Sequence, residues 1–190
     1  MFKNLIVYRL GPDGPANMPQ MLEALERDRF IECGLTQPLS MGWVEPRGVA
    51  NGPLLEVIDG QWLLTLQVEQ RILPGAVVRR KAEELAEQVE KTTGRKPGKR
   101  QAKELKEEAV LTLLPQAFTK QASVNVWLDA KAGLLLVDAS SPKRAEDAAT
   151  LLVQACDGRL ALRLVQTQAS PATVMASWLS GGERSEEHTS

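Results

Sequence analysis

The sequence predicts an α+β fold: antiparallel β-sheets with helices packed on one face and an inserted antiparallel helical hairpin arm. Three observations carry that prediction. Short runs of apolar, β-prone residues bounded by Gly, Pro and Asp recur before residue 74 and after residue 118. Between them, two narrow helical stripes flank the helix-breaking Gly94, Pro97 and Gly98. Asp59-Gly60 separates two strand-like runs with the dipeptide that tight hairpins favour.

Leu5, Ile6, Val7 and Tyr8 mark a strand over 4–10, closed by the turn residues Gly11, Pro12, Gly14 and Pro15. Met18, Met21, Leu22 and Leu25 share one face of a helix over 18–29. Residues 30–40 are irregular, and MGWVEP (41–46) is a short strand stopped by Pro46 and Gly48. Residues 54–58 and 62–68 form the hairpin about Asp59-Gly60. Val78, Ala82, Leu85 and Val89 then make the first helical stripe, and Ala102, Leu105, Ala109 and Leu113 the second. The second helix ends at Pro115. Val124, Val126 and Leu128 alternate in a strand over 123–129. A turn at 130–133 leads to an apolar strand over 134–138. Ser141-Pro142 starts a helix whose core face is Ala145, Ala148, Ala149, Leu152 and Ala155. A strand over 160–165 and a helix from Ser170-Pro171 to Leu179 complete the pattern. The order strand, helix, strands recurs after the arm and hints at two similar subdomains. The α+β core is thus assigned to 1–74 and 119–181, and the arm with its basic tip to 75–118.

The chain has 23 Lys or Arg and 24 Asp or Glu, a near balance that conceals a local excess. Lys91 to Lys106 holds seven basic residues and one acid, Glu104. Clustered charge attracts polyanions whatever the net charge, because its field acts locally. A projecting arm with such a tip suits a phosphate backbone and encloses nothing that could serve as an active site. The candidate DNA contacts are Arg95, Lys96, Lys99, Arg100 and Lys103 at the tip, then Arg79, Arg80 and Lys81 on the first arm helix. An aromatic content of 4% argues against single-strand binding by base stacking. No apolar run suits a membrane span or a secretory signal. Cys33 and Cys156 lack metal-ligand spacing and are expected to be reduced thiols in a cytoplasm.

The last seven residues, RSEEHTS (184–190), are the direct translation of AGATCGGAAGAGCACACGTCT, the start of a common sequencing adapter. They are expected to be foreign to the natural protein and are set aside from fold reasoning. The sole histidine, His188, lies among them. Hydrolytic Ser or Cys nucleophiles normally need a base, and no HExxH, P-loop, GxGxxG or GxSxG is present. The sequence therefore implies neither enzyme activity nor a cofactor or metal. Asp129 and Asp138, at the ends of neighbouring strands, are the best carboxylate pair for a metal-dependent nuclease, though strand-end acids are commonly just turn residues. The four tryptophans each lie in or beside an apolar run and read as core. Phe118 leaves the helix into the polar stretch TKQAS, and so is either core or an interface anchor.

Several stretches together resemble the bacterial recombination-associated RdgC family: FKNLIVYRL (2–10), MGWVEP (41–46), VANG (49–52), ILP (72–74), LLPQAF (113–118), VWLD (126–129), GLLLVD (133–138) with SPKRAED (141–147), and WLSG (178–181). Their order and spacing match over residues 2 to 181. The resemblance implies binding to DNA, duplex and possibly single-stranded, without sequence preference. It implies a head-to-head homodimer closed into a ring around duplex DNA, a role in restraining the RecA recombinase, and no enzymatic activity. It places the protein in the cytoplasm at the nucleoid, away from membranes. Carried over by position, Phe118 resembles the hydrophobic contact that closes one of two ring interfaces. The family pattern has a basic residue where this chain has Gln116, which weakens the expectation of a DNA contact there. It also continues well beyond WLSG, so this chain is expected to lack the second ring interface. The alternative function is a protein-interaction module in which the arm pairs with a partner helix through Leu85 and Leu105.

Overall fold

The computed structural model describes residues 3–12, 17–166 and 171–179. The elements run β1 (Leu5–Leu10), α1 (Met18–Arg27), β2 (Leu39–Val44), β3 (Leu55–Ile58), β4 (Gln61–Arg71), α2 (Gly75–Thr93), α3 (Lys99–Leu113), a 3-10 turn (Leu114–Gln116), β5 (Thr119–Asp129), β6 (Leu134–Asp138), α4 (Pro142–Ala155), β7 (Leu162–Leu164) and α5 (Pro171–Leu179). The predicted turn at Gly14 and Pro15, the helix-initiating Ser170 and residues 184–190 lie outside the described residues.

The strands form one antiparallel sheet, ordered β2-β4-β5-β6-β1-β7, with β3 also on β4. β4 is its spine. One edge pairs with β5 from Trp62↔Leu128 to Arg71↔Thr119. The other edge is shared end to end by β2, opposite residues 65–70, and β3, opposite residues 61–64. The β3–β4 turn puts both Asp59 and Gly60 at positive φ, 51° and 81°, as a primed hairpin turn requires. The segments before and after the arm do not form separate sheets. β1 lies between β6 and β7, so the segments before and after the arm share one sheet.

Alternation sends Tyr8, Trp43, Leu64, Leu66, Val124, Val126, Leu128, Leu135 and Val137 to one face, where all are buried. The helices α1 and α4 cover that face. Asn17 caps α1, its Oδ1 accepting from the Gln20 N–H at 3.1 Å. Met21, Ala24 and Leu25 are buried beneath it. Ser141 caps α4 by accepting from the Arg144 N–H, and Pro142 opens the helix. All five residues predicted for its core face are buried. Four of them are alanines, which let the helix axis approach the sheet.

The opposite face is largely polar, and this explains why β4 and β5 run further than their apolar alternation predicts. Thr65, Gln67 and Glu69 stand beside Asn125, Ser123 and Gln121. Their side chains bond across the strands: Thr65 Oγ1 to Asn125 Oδ1, Ser123 Oγ to Gln67 Oε1, Gln121 Nε2 to Glu69 Oε2. Trp127 lies on this face too, its Nε1–H donating to Gln61 Oε1 at 2.8 Å. Trp178 is 54% exposed. Only Trp43 is a fully buried tryptophan; the uniform core assignment for these residues was too broad. Two ionic groups tie the rim. Arg29 donates to Glu26 and Glu45, and these bonds hold both carboxyls below the usual range. Asp138 accepts from the Asn4 and Lys3 N–H groups, which lowers its pKa likewise and pins the start of β1.

Candidate nucleic-acid interface

The arm is built by packing only one seam. Val78, Leu105 and Ala109 are buried, and Ala82, Leu85, Val89 and Leu113 are half-buried. Ala102, assigned to the seam from its spacing, is exposed. Gly94 ends α2 in the left-handed region at φ 70°, its N–H bonded to Glu90 O at 2.8 Å. Glycine meets that backbone requirement without a Cβ penalty. Pro97 and Gly98 follow, and α3 starts at Lys99. At about 1.5 Å per residue, the 19 residues of α2 carry the reversal roughly 28 Å from its first turn.

Charge is divided between this arm and the rest. Residues 75–118 contain 10 basic and 7 acidic residues, a net of +3; the core over 1–74 and 119–181 contains 12 and 14, a net of −2. From Lys91 to Lys103 there are six cations and no acid. The eight predicted contacts fall into two classes. Arg80 and Lys81 pair with Glu84, Arg100 with Glu104 and Lys103 with Glu107, at 3.2–3.9 Å and largely in solvent. Such exposed helix pairs are worth well under about 1 kcal/mol and yield readily to another anion. Arg79, Arg95, Lys96 and Lys99 are exposed and make no ion pair among the described residues. The structure brings Arg95, Lys96, Lys99, Arg100 and Lys103 together at the tip. Arg79, Arg80 and Lys81 instead sit near the root, some 14 to 16 residues back along α2, or about 21–24 Å.

A residue missed by sequence reasoning fixes the root. The Arg71 guanidinium donates to the carbonyls of Leu114 and Ala117 at the arm's exit, and of Cys33 and Gly34 after α1, at 3.0–3.3 Å. It meets backbone oxygens and no carboxylate, so it acts as a clip. The signal was an arginine ending a long strand beside the arm, which is indistinguishable in sequence from a solvated surface charge. Next to it, Ile72 N donates to Phe118 O at 2.8 Å. Phe118 therefore enters β5 directly instead of a polar loop, and its side chain is 86% exposed. Ile72 and Leu111 are also exposed, at 48% and 57%. Val110, Leu111, Leu114, Thr36 and Pro38, with the charged Lys103, Lys106 and Glu107, line a groove of about 530 Å³ along α3.

Asp129 and Asp138 do not converge. β5 and β6 are antiparallel, so their C-terminal ends point opposite ways. Asp129 pairs with Leu134, four residues and about 13 Å along β6 from Asp138. Asp129 accepts from Gln61 and Ala132, while Asp138 holds the start of β1. No helix among the described residues is long and apolar enough to cross a membrane.

A single antiparallel sheet backed by helices, with an exposed basic arm inserted between its two longest strands, defines a class of basic-armed α+β proteins. The family whose model matches residues 1–189 carries the description "Putative exonuclease, RdgC". The chain belongs to the RdgC family. It is 42% identical over 182 residues to the recombination-associated protein RdgC of Dechloromonas aromatica, covering 96% of this chain and 59% of that protein. The protein of that name from Bordetella pertussis is 37% identical, with 96% and 60% covered. That from Janthinobacterium sp. is 38% identical, with 94% and 58% covered. The chain thus spans about three fifths of the length of these relatives, whose shared name connects them with recombination.

Proposed function

We propose that this chain supplies the DNA-gripping part of a recombination-associated protein, binding duplex DNA through the phosphate backbone without sequence preference. The observation that carries it is the arm tip: six cations and no acid between Lys91 and Lys103, raised on two helices above a body of opposite net charge. Phosphate contacts position a protein but carry no sequence information. A convex tip without an enclosed pocket suits that task. In the full-length protein, Phe118 with Ile72 and Leu111 forms an apolar contact between two copies, and the pair closes as a homodimeric ring around the duplex. A ring so placed in the cytoplasm at the nucleoid restrains RecA by occupying DNA. The role is mechanical and non-enzymatic.

Three measurements test this. Labelled duplexes of unrelated sequence should bind with the same Kd; a strong preference for one sequence contradicts the reading. Addition of magnesium should leave the duplex intact on a denaturing gel; degradation would return the reading to a nuclease. Phe118→Ser in the full-length protein should shift sedimentation from dimer towards monomer, and an unchanged dimer removes the interface role.

A further inference from the structure

We propose that Arg9 and Arg163 form a second phosphate clamp, on the sheet face opposite α1 and α4 and separate from the arm. The inference rests on the DNA reading above and adds a contact site to it. Arg9 on β1 and Arg163 on β7 are direct cross-strand partners. The hydrogen bonds on either side, from Gly11 N to Ala161 O and from Val165 N to Val7 O, place them in a narrow, hydrogen-bonded pair of the ladder. Their Cα atoms are then about 5.5 Å apart. Tyr8 faces the core, so both arginines point to the other face, and both are exposed.

Two like charges directly opposite weaken a strand pair. This is the single like-charge pair in the described strand registers. Elsewhere in the body, Arg27, Arg29 and Arg47 each meet an acid within 3.6 Å. Arg9 and Arg163 meet none among the described residues, in a core whose net charge is −2. They line an open cleft of about 390 Å³ floored by Leu10, Gly11, Pro12, Ala161 and Leu162. A Cβ on Gly11 would come 2.8 Å from the Ala161 Cβ, so glycine is what lets the strands close beneath the cleft. Two planar guanidinium forks side by side match the oxygens of one phosphodiester or of two neighbouring ones. An anion between them also removes their repulsion, so the strand pair is relieved by the ligand it binds. Arg9 lies beside Leu134, which pairs with Asp129, ten residues along β5 from the arm root at Thr119. The clamp and the arm root are thus about 33 Å apart along the sheet, and one duplex of ordinary length can reach both.

The test is fluorescence anisotropy of a labelled duplex of about 30 base pairs, long enough to span both sites, across a salt series. Wild-type chain is compared with R9Q/R163Q, R9K/R163K and the tip variant R95Q/K96Q/K99Q. Loss of two phosphate contacts should make the slope of log K against log salt shallower by about 1.8. Affinity at low salt should fall about tenfold, while the melting temperature holds or rises because the repulsion is gone. R9K/R163K should restore the slope and only part of the affinity, since lysine lacks the bidentate fork. An unchanged slope and affinity in R9Q/R163Q, with loss in the tip variant, overturns the clamp and leaves the arm reading standing. No loss in either variant, or no binding by wild type, overturns both. If R9Q/R163Q fails to fold, R163Q alone on the short edge strand should still lose about half of the slope change.

Discussion

The sheet and the arm solve opposite problems with the same chain. The sheet buries Trp43, Leu64, Leu66, Val126, Leu128 and Val137 under two helices, and several rim cations are held by acids or carbonyls. The arm buries three residues of a single seam, and its tip cations Arg95, Lys96 and Lys99 meet no acid among the described residues. The core over 1–74 and 119–181 carries a net −2 and the arm +3. On the proposed reading, stability falls to the sheet and most of the DNA contact to the arm, joined at one root where Arg71 clips both. A polyanion can be gripped by a poorly buried element because the gain comes from charge and counterion release, not from apolar area.

That division can be broken in order of expected size. Leu128→Ala, in the body, should cost about 3–5 kcal/mol and lower the melting temperature steeply. Leu105→Ala, in the arm seam, should cost clearly less and leave the sheet's amide-exchange protection intact. Equal losses would show that arm and sheet fold as one unit. R95Q/K96Q/K99Q should weaken duplex binding about 100-fold at low salt, equivalent to about 2.7 kcal/mol, with no change in melting temperature. Arg71→Met should cost about 2 kcal/mol, because four carbonyls lose their charged donor. It should also raise protease sensitivity near Leu114 to Phe118, and unchanged cleavage there would remove the clip role. The smallest effect is with pH. Glu26, Glu45 and Asp138 have lowered pKa values in the folded state, so their stabilisation is present above the ordinary carboxylate range near about pH 4. It is lost as pH falls through the folded values. The body's melting temperature should decline below about pH 4, and a flat profile would contradict the assignment.

Much of this molecule was legible because local rules and tertiary packing agree. The Asp59-Gly60 turn, the Ser141-Pro142 cap, the alanine face of α4 and the Gly94 break each state their structure within a few residues. The tip was legible for the same reason, since its five cations are close in sequence. What failed depends on distant partners. Residues 119–122 read as polar loop because the side chains of 119–121 are polar and exposed, and only pairing with β4 makes them strand. The predicted strand over 160–165 shrinks to Leu162–Leu164, although the Gly11 N to Ala161 O and Val165 N to Val7 O bonds carry its pairing with β1 one residue further at each end. Ala102 has the right spacing but is exposed, and the buried seam of α3 starts one turn later at Leu105. Arg71 and the Arg9–Arg163 pair owe everything to register, across 46 and 154 residues of chain respectively. Hydrophobic periodicity carries no information about either.

The most direct test of the account is the salt dependence of duplex binding by wild type and by R95Q/K96Q/K99Q, measured side by side. The account predicts a wild-type slope of log K against log salt of roughly −4 to −5, and a slope shallower by about 2.7 when three tip cations are gone. A wild-type affinity insensitive to salt, or a tip variant that binds like wild type, would contradict it.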